Sequence, residues 1–267
     1  MSTATYELAR SIPARVGELR VLVDHAAKCE SEDESLYNAI CRAAAVLMAS
    51  HLEGFLKELV RSIVLDLNFH IEEFSYMPAA MQRTFCMKIA FYEGVSSAEV
   101  EKRVAQLISF FSSNNVKVDM SAFPYKENSN RNPSPSFIDT TLGAIGVPSV
   151  LAALKGGRFE AVFDGDHRTD YLLRRDLRRF QAKLYQFPYK ALPTPYTFNK
   201  SKDKTEGSLW WEFINGIMNR RHSVAHGDTL ENETSWAELR TDALKIEVLM
   251  FAIIYRSCSF LGESLSR

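Results

Sequence analysis

Between Leu36 and Ile63 apolar residues return every three or four positions with no proline in the run: Leu36, Ile40, Ala44, Leu47, Leu52, Phe55, Leu56, Leu59 and Ile63. That period gathers side chains on one side of an α-helix, whereas a strand would alternate every second residue. Ser31 followed by Glu34 resembles a capping box, so the spacing predicts a helix opening there and running to about Phe69, with Gly54 as its one weak point. An apolar stripe of this length must be buried against other elements, and helices are the partners that the rest of the chain offers.

The same period recurs. Leu8, Ile12, Val16, Leu19 and Val23 mark a first helix, with Pro13 near its start. Pro78 opens a third helix through Tyr92, broken by Gly94, and Ser96 with Glu99 opens a fourth carrying Val100, Val104, Leu107, Ile108 and Phe111. Short helices are expected near Phe137–Ala144 and Pro148–Lys155, a basic one over Asp170–Tyr185, and an aromatic-rich one from Glu206 to about Arg220. Ser235 with Glu238 caps the last, through Leu239, Leu244, Val248, Phe251, Ile254 and Cys258. Roughly seven to nine helices and no strand define an all-α, multi-helix bundle. Asn, Ser, Pro and Lys break the period at about 114–136 and 186–205, which read as long loops inserted in one domain spanning 1–267.

Composition narrows the function. A formal charge of −1 excludes a uniformly basic nucleic-acid binder, so any phosphate-binding surface must be a local patch. Cys29, Cys41, Cys86 and Cys258 are widely spaced within apolar helical stretches, which suits buried thiols in a reducing compartment better than a zinc site. No basic head precedes an apolar run at the N-terminus, and the apolar window Val248–Tyr255 is far shorter than the roughly 20 residues of a bilayer crossing. A cytoplasmic location with no membrane partner is expected. His-Glu-x-x-His, a glycine-rich phosphate loop and Gly-x-Ser-x-Gly are all missing, which argues against a zincin, an NTPase and an α/β-hydrolase.

The informative segment is Asn219-Arg220-Arg221-His222-Ser223-Val224-Ala225-His226-Gly227-Asp228, between two apolar helices. It resembles the Arg-x(4–6)-His motif of the HEPN superfamily, in which Arg is followed by a polar residue, a few spacers and His. Arg20 and His25 share the spacing but sit inside the first amphipathic helix with no turn residue beside them, and no function is assigned to that pair. Two weaker likenesses to prokaryotic HEPN proteins accompany the motif: Ser50-His-Leu-Glu53-Gly-Phe-Leu-Lys-Glu58-Leu on the long second helix, and Asn132-Pro-Ser-Pro135 before a short one.

The resemblance implies a HEPN-like bundle that cuts RNA without a metal or other cofactor, as a homodimer whose two motifs share one cleft. It also implies a role as a toxin or phage-defence effector, with an antitoxin protein as a further partner. The chemistry fits the residues. Attack by a 2′-hydroxyl needs a base, an acid for the leaving 5′-oxygen and positive charge on the phosphorane; imidazole serves either proton role and guanidinium grips two phosphate oxygens. His226 would be the acid/base and Arg221 the phosphate clamp, with Arg220 or His222 as a second contact; one motif is taken to offer one well-placed imidazole. Glu53 reads either as a solvated or capping carboxylate or as a group facing the motif.

Other readings stay open. Arg220, Arg221 and His222 also suit the negative end of a helix, and His226-Gly227 suits a C-terminal cap, so the chain could be a catalytically silent HEPN bundle that binds nucleotide, RNA or protein, or a plain helical scaffold. Arg174/Arg178 and Arg175/Arg179 stack one turn apart as either an RNA phosphate ladder or a solvated face. Phe123-Pro-Tyr-Lys126 and Phe187-Pro-Tyr-Lys190 recur in the two loops, and the stretch Tyr185–Lys204 is either an RNA-guiding surface of aromatics and lysines or a strap stapled to the bundle.

Overall fold

A computed structural model describes residues 2–120, 123, 133–193, 196, 198, 207–227 and 234–265. Among these residues there are nine α-helices and no strand, only an isolated bridge between Glu73 and Lys117. The expected all-α bundle is what the chain forms.

The centre is a pair of long helices, α1 (Ala4–Cys29) and α2 (Glu34–Asn68), with α9 (Trp236–Leu265) packed against both. The stripe Leu8, Ile12, Val16, Leu19 and Val23 is buried along α1, and Leu52, Phe55, Leu56, Leu59 and Ile63 are buried along α2. Pro13 is carried within α1 without ending it. The α2 cap is Asp33, whose side chain accepts from the Leu36 N–H at 2.9 Å, and Glu34 is the first helical residue; the Ser31–Glu34 capping box does not form. By length and composition α2 could cross a membrane; one face of it, including Met48, Leu52, Phe55, Leu56, Leu59 and Ile63, is buried in the bundle, and α2 packs against α1, α9 and α8 (Leu209–His226).

The shorter helices lie around this centre. Ala79–Ala90 (α3) pairs with Ser97–Ser113 (α4), whose N-cap Ser96 accepts from the Glu99 N–H as expected. Pro135–Ala144 (α5) and Val150–Leu154 (α6) flank α8. At the head of α9 the capping box closes reciprocally: Glu238 N–H donates to the Ser235 hydroxyl and Ser235 N–H to the Glu238 carboxylate.

The basic segment forms His167–Phe180 (α7), with Leu173 and Leu177 buried. Its arginines do not make a free ladder. Glu247 of α9, 1% exposed, accepts from Arg174 Nε at 3.0 Å and Arg178 Nη2 at 3.3 Å, and pairs with Arg20 of α1, while Arg175 turns to Asp176. One buried carboxylate therefore ties α1, α7 and α9 together, and gives Arg20 a structural task.

The strap reading of the second loop is supported where it is described. The Tyr189 hydroxyl donates to Asp66 at 2.7 Å, and the same buried carboxylate accepts the Ala4 and Thr5 N–H groups at the start of α1. Tyr196 is buried and bonds Asp176, while Phe198 stacks on Phe159 with centroids 5.5 Å apart. Pro124–Lys126, Asn132, Lys200, Lys202 and Lys204 lie outside the described residues.

Candidate active site

Helix α8 carries the Arg/His segment, and burial fades along it. Ser208 caps its start by accepting the Trp211 N–H at 3.2 Å; Trp210, Ile214, Ile217 and Met218 then anchor it in the core. Past Met218 the side chains surface, and His222, Ala225 and His226 are exposed. The helix ends later than its aromatic stretch suggests, at His226 and not near Arg220, because Gly227 supplies the stop: at φ 69° it takes the left-handed conformation and its N–H reaches the Ser223 and Val224 carbonyls. The capping geometry considered for His226-Gly227 is thus real, and it presents the motif at the negative end of an exposed helix terminus.

Consecutive arginines leave the helix in different directions, since each residue turns it by about 100°. Arg220 pairs with the nearly buried Asp242 of α9, which Lys245 approaches at 3.4 Å. Its guanidinium bridges α8 and α9. Arg221 points to α2, where its Nη1 lies 3.8 Å from Glu53 Oε2; the other Glu53 oxygen accepts from Lys57 Nζ at 2.8 Å. Glu53 thus lies against the motif arginine and is not solvated, with its side chain 18% exposed. Around these groups Lys57, Arg220, Arg221 and Lys245 meet the carboxylates of Glu53 and Asp242, with Glu238 close to Arg220 and Lys245.

The imidazoles differ from expectation. His222 and His226 are one turn apart, with ring centroids at 4.1 Å and planes tilted by 54°, so one chain presents two imidazoles and not one. The signal was available in the sequence: His-x-x-x-His within a continuous helix places both rings on one side. Arg221 is not beside them, because five residues on a straight helix separate Arg221 from His226 by about 140°. A single chain brings together the two imidazoles, and separately Arg221 with Glu53; the guanidinium and His226 do not converge within one helix.

Thiol chemistry has little footing elsewhere. All four cysteines are free, three are buried, and burial pushes the Cys86 thiol up to about 11, which keeps it protonated near neutral pH. Among the described residues no group of three or more His, Cys, Asp or Glu side chains is placed to hold a metal ion.

An all-α bundle that ends an internal helix in Arg-x(4)-His, with a carboxylate of a neighbouring long helix against the Arg, has the make-up of a HEPN-type protein. The family model described as RiboL-PSP-HEPN matches residues 14–258, and the chain belongs to that family. The match covers all of α2 and α8, most of α1 and α9, and the whole candidate site. No curated protein and no solved structure matches the chain.

Proposed function

We propose that the protein is a metal-independent endoribonuclease that cleaves RNA by attack of the 2′-hydroxyl on the adjacent phosphodiester, leaving a 2′,3′-cyclic phosphate and a 5′-hydroxyl. Membership of the HEPN family supports a nuclease or RNA-related role. The observation that carries the finer reading is the pair of exposed imidazoles, 4.1 Å apart, one residue and five residues beyond Arg221.

One imidazole takes the 2′-hydroxyl proton and a second gives a proton to the departing 5′-oxygen, so no charged leaving group forms. Arg221 stabilises the phosphorane, in which negative charge grows on the equatorial oxygens and where a fixed guanidinium acts without reorganisation. Glu53 holds Arg221, and Asp242 holds Arg220 at the α8–α9 contact. The angular separation of Arg221 from His226 favours a homodimer, in which the Arg221 of one copy faces the imidazoles of the other across the exposed ends of two α8 helices. A role as toxin or phage-defence effector restrained by an antitoxin is the biological form of this proposal.

The test is incubation of purified protein with single-stranded and structured RNA in EDTA. Cleavage is expected, abolished by His226→Ala and Arg221→Ala with unchanged helical content, and light scattering should give a mass of two chains. Binding of RNA or nucleotide without cleavage would instead support the silent HEPN module.

A further inference from the structure

His222 and His226 have a property that the RNA chemistry does not use. Side chains at i and i+4 on a helix are neighbours, and these two rings are already within 4.1 Å, centroid to centroid, on an exposed side of the last turns of α8. Imidazole nitrogen is a preferred ligand of borderline divalent ions such as Zn2+, Ni2+ and Cu2+, which bind it at about 2.0–2.1 Å. Two such nitrogens one helical turn apart can close on one ion with small side-chain rotations. The helix terminus favours the ion further, because the last carbonyls present partial negative charge where Gly227 ends the ladder.

We propose that His222 and His226 form a two-imidazole chelate for a borderline divalent transition-metal ion, and that the bound ion inhibits the protein by occupying the nitrogens that would transfer protons. Among the described residues no third His, Cys, Asp or Glu joins the pair. A chelate of two imidazoles differs from a structural zinc centre, which is closed by four protein ligands. Mg2+ and Ca2+, which demand oxygen ligands, do not compete for it. The chelate stands on the ring pair alone; the inhibition rests on the nuclease reading.

Titration calorimetry of the metal-stripped full chain with Zn2+ tests the chelate. Wild type should bind; His222→Ala and His226→Ala should each weaken binding at least about tenfold, the smallest loss that removal even of an outer-shell partner brings. Arg221→Ala should bind Zn2+ like wild type. Circular dichroism checks that the variants keep their helices, and His222→Gln repeats the test with a side chain that preserves bulk. Undiminished Zn2+ affinity in the two His variants, or no binding by wild type, overturns the chelate. RNA cleavage is then measured with Zn2+, with Zn2+ plus EDTA, and with Mg2+. Loss in the first and recovery in the second are expected, with no effect of Mg2+. A cleavage rate that Zn2+ leaves unchanged at saturation overturns the inhibition. A wild type that cuts no RNA under any condition overturns the inhibition together with the nuclease reading, while the titration still decides the chelate.

Discussion

Arg221 of α8 and Glu53 of α2 face each other across the contact of the two helices, guanidinium nitrogen to carboxylate oxygen at 3.8 Å. Both side chains are largely shielded, so the pair is screened less than a surface ion pair, and Lys57 fixes the carboxylate from the other side at 2.8 Å. A long side chain that would otherwise sample many rotamers is tethered to the longest helix of the bundle. The consequence is a positive charge held in place against α2, on the same helix as the exposed imidazoles.

Glu53→Gln should therefore lower RNA cleavage while leaving the fold intact. The expected loss is up to about tenfold in kcat/KM, which corresponds to about 1.4 kcal/mol, and the melting temperature should change little because one partly buried pair contributes on the order of 1 kcal/mol. Steady-state kinetics on a short RNA, with a thermal melt of the same sample, checks both halves.

The sequence made the central helices legible because their partners are encoded in their own period: the stripes of α1, α2 and α9 are local patterns that survive whatever packs on them. The helical end of α8 was less legible. Polar residues gather from Asn219 onward, yet the capping signal of Gly227 lies about two turns later and sets the boundary. The proximity of His222 and His226 follows directly once the helix is carried to that glycine. What the sequence withheld were partners distant along the chain. Arg174 and Arg178 read as a solvated face or a phosphate ladder, and only the fold brings Glu247 beneath them; likewise nothing near Arg220 announces Asp242.

Glu247→Ala should destabilise the protein by about 3 kcal/mol, the lower part of the range for a broken buried pair, because the three guanidiniums keep part of their hydration. Replacing Arg178 alone, whose side chain is half exposed, should cost less than about 1 kcal/mol, since Arg20 and Arg174 still satisfy the carboxylate. Urea unfolding curves of the two variants distinguish a shared buried acceptor from three independent surface pairs.

Gly262→Ala should be destabilising although the glycine lies in a helix, where alanine is ordinarily the better residue. A Cβ there would stand 2.8 Å from the Tyr189 carbonyl oxygen, and backbone cannot swing away as a side-chain tip can. A cost of about 1–3 kcal/mol is expected for the forced shift. Limited proteolysis should show earlier cleavage within 186–193, the strap that Tyr189 pins to Asp66.

Acid should weaken the fold through His51. Burial lowers its pKa below the usual 6.5 and prevails over Glu18, whose carboxylate at 3.3 Å raises it, while Arg15 lowers it further. The unfolded chain then binds the proton more readily than the folded one. The contribution of neutral His51 is fully present above 6.5 and is lost as pH falls through that value toward the lowered folded one. Melting temperatures of wild type and His51→Gln across this window should diverge, with wild type losing more. Parallel curves would contradict the assignment.

The most direct test of the nuclease account is the rate of cleavage, in EDTA, of an RNA with one scissile bond by wild type, Arg221→Ala, His226→Ala and the double variant. Groups that act on one phosphodiester are non-additive, so each single variant should lose nearly as much as the pair, and wild type should release a 2′,3′-cyclic phosphate. Cleavage that persists in both folded single variants, or losses that simply multiply in the double variant, would contradict a joint role for Arg221 and His226.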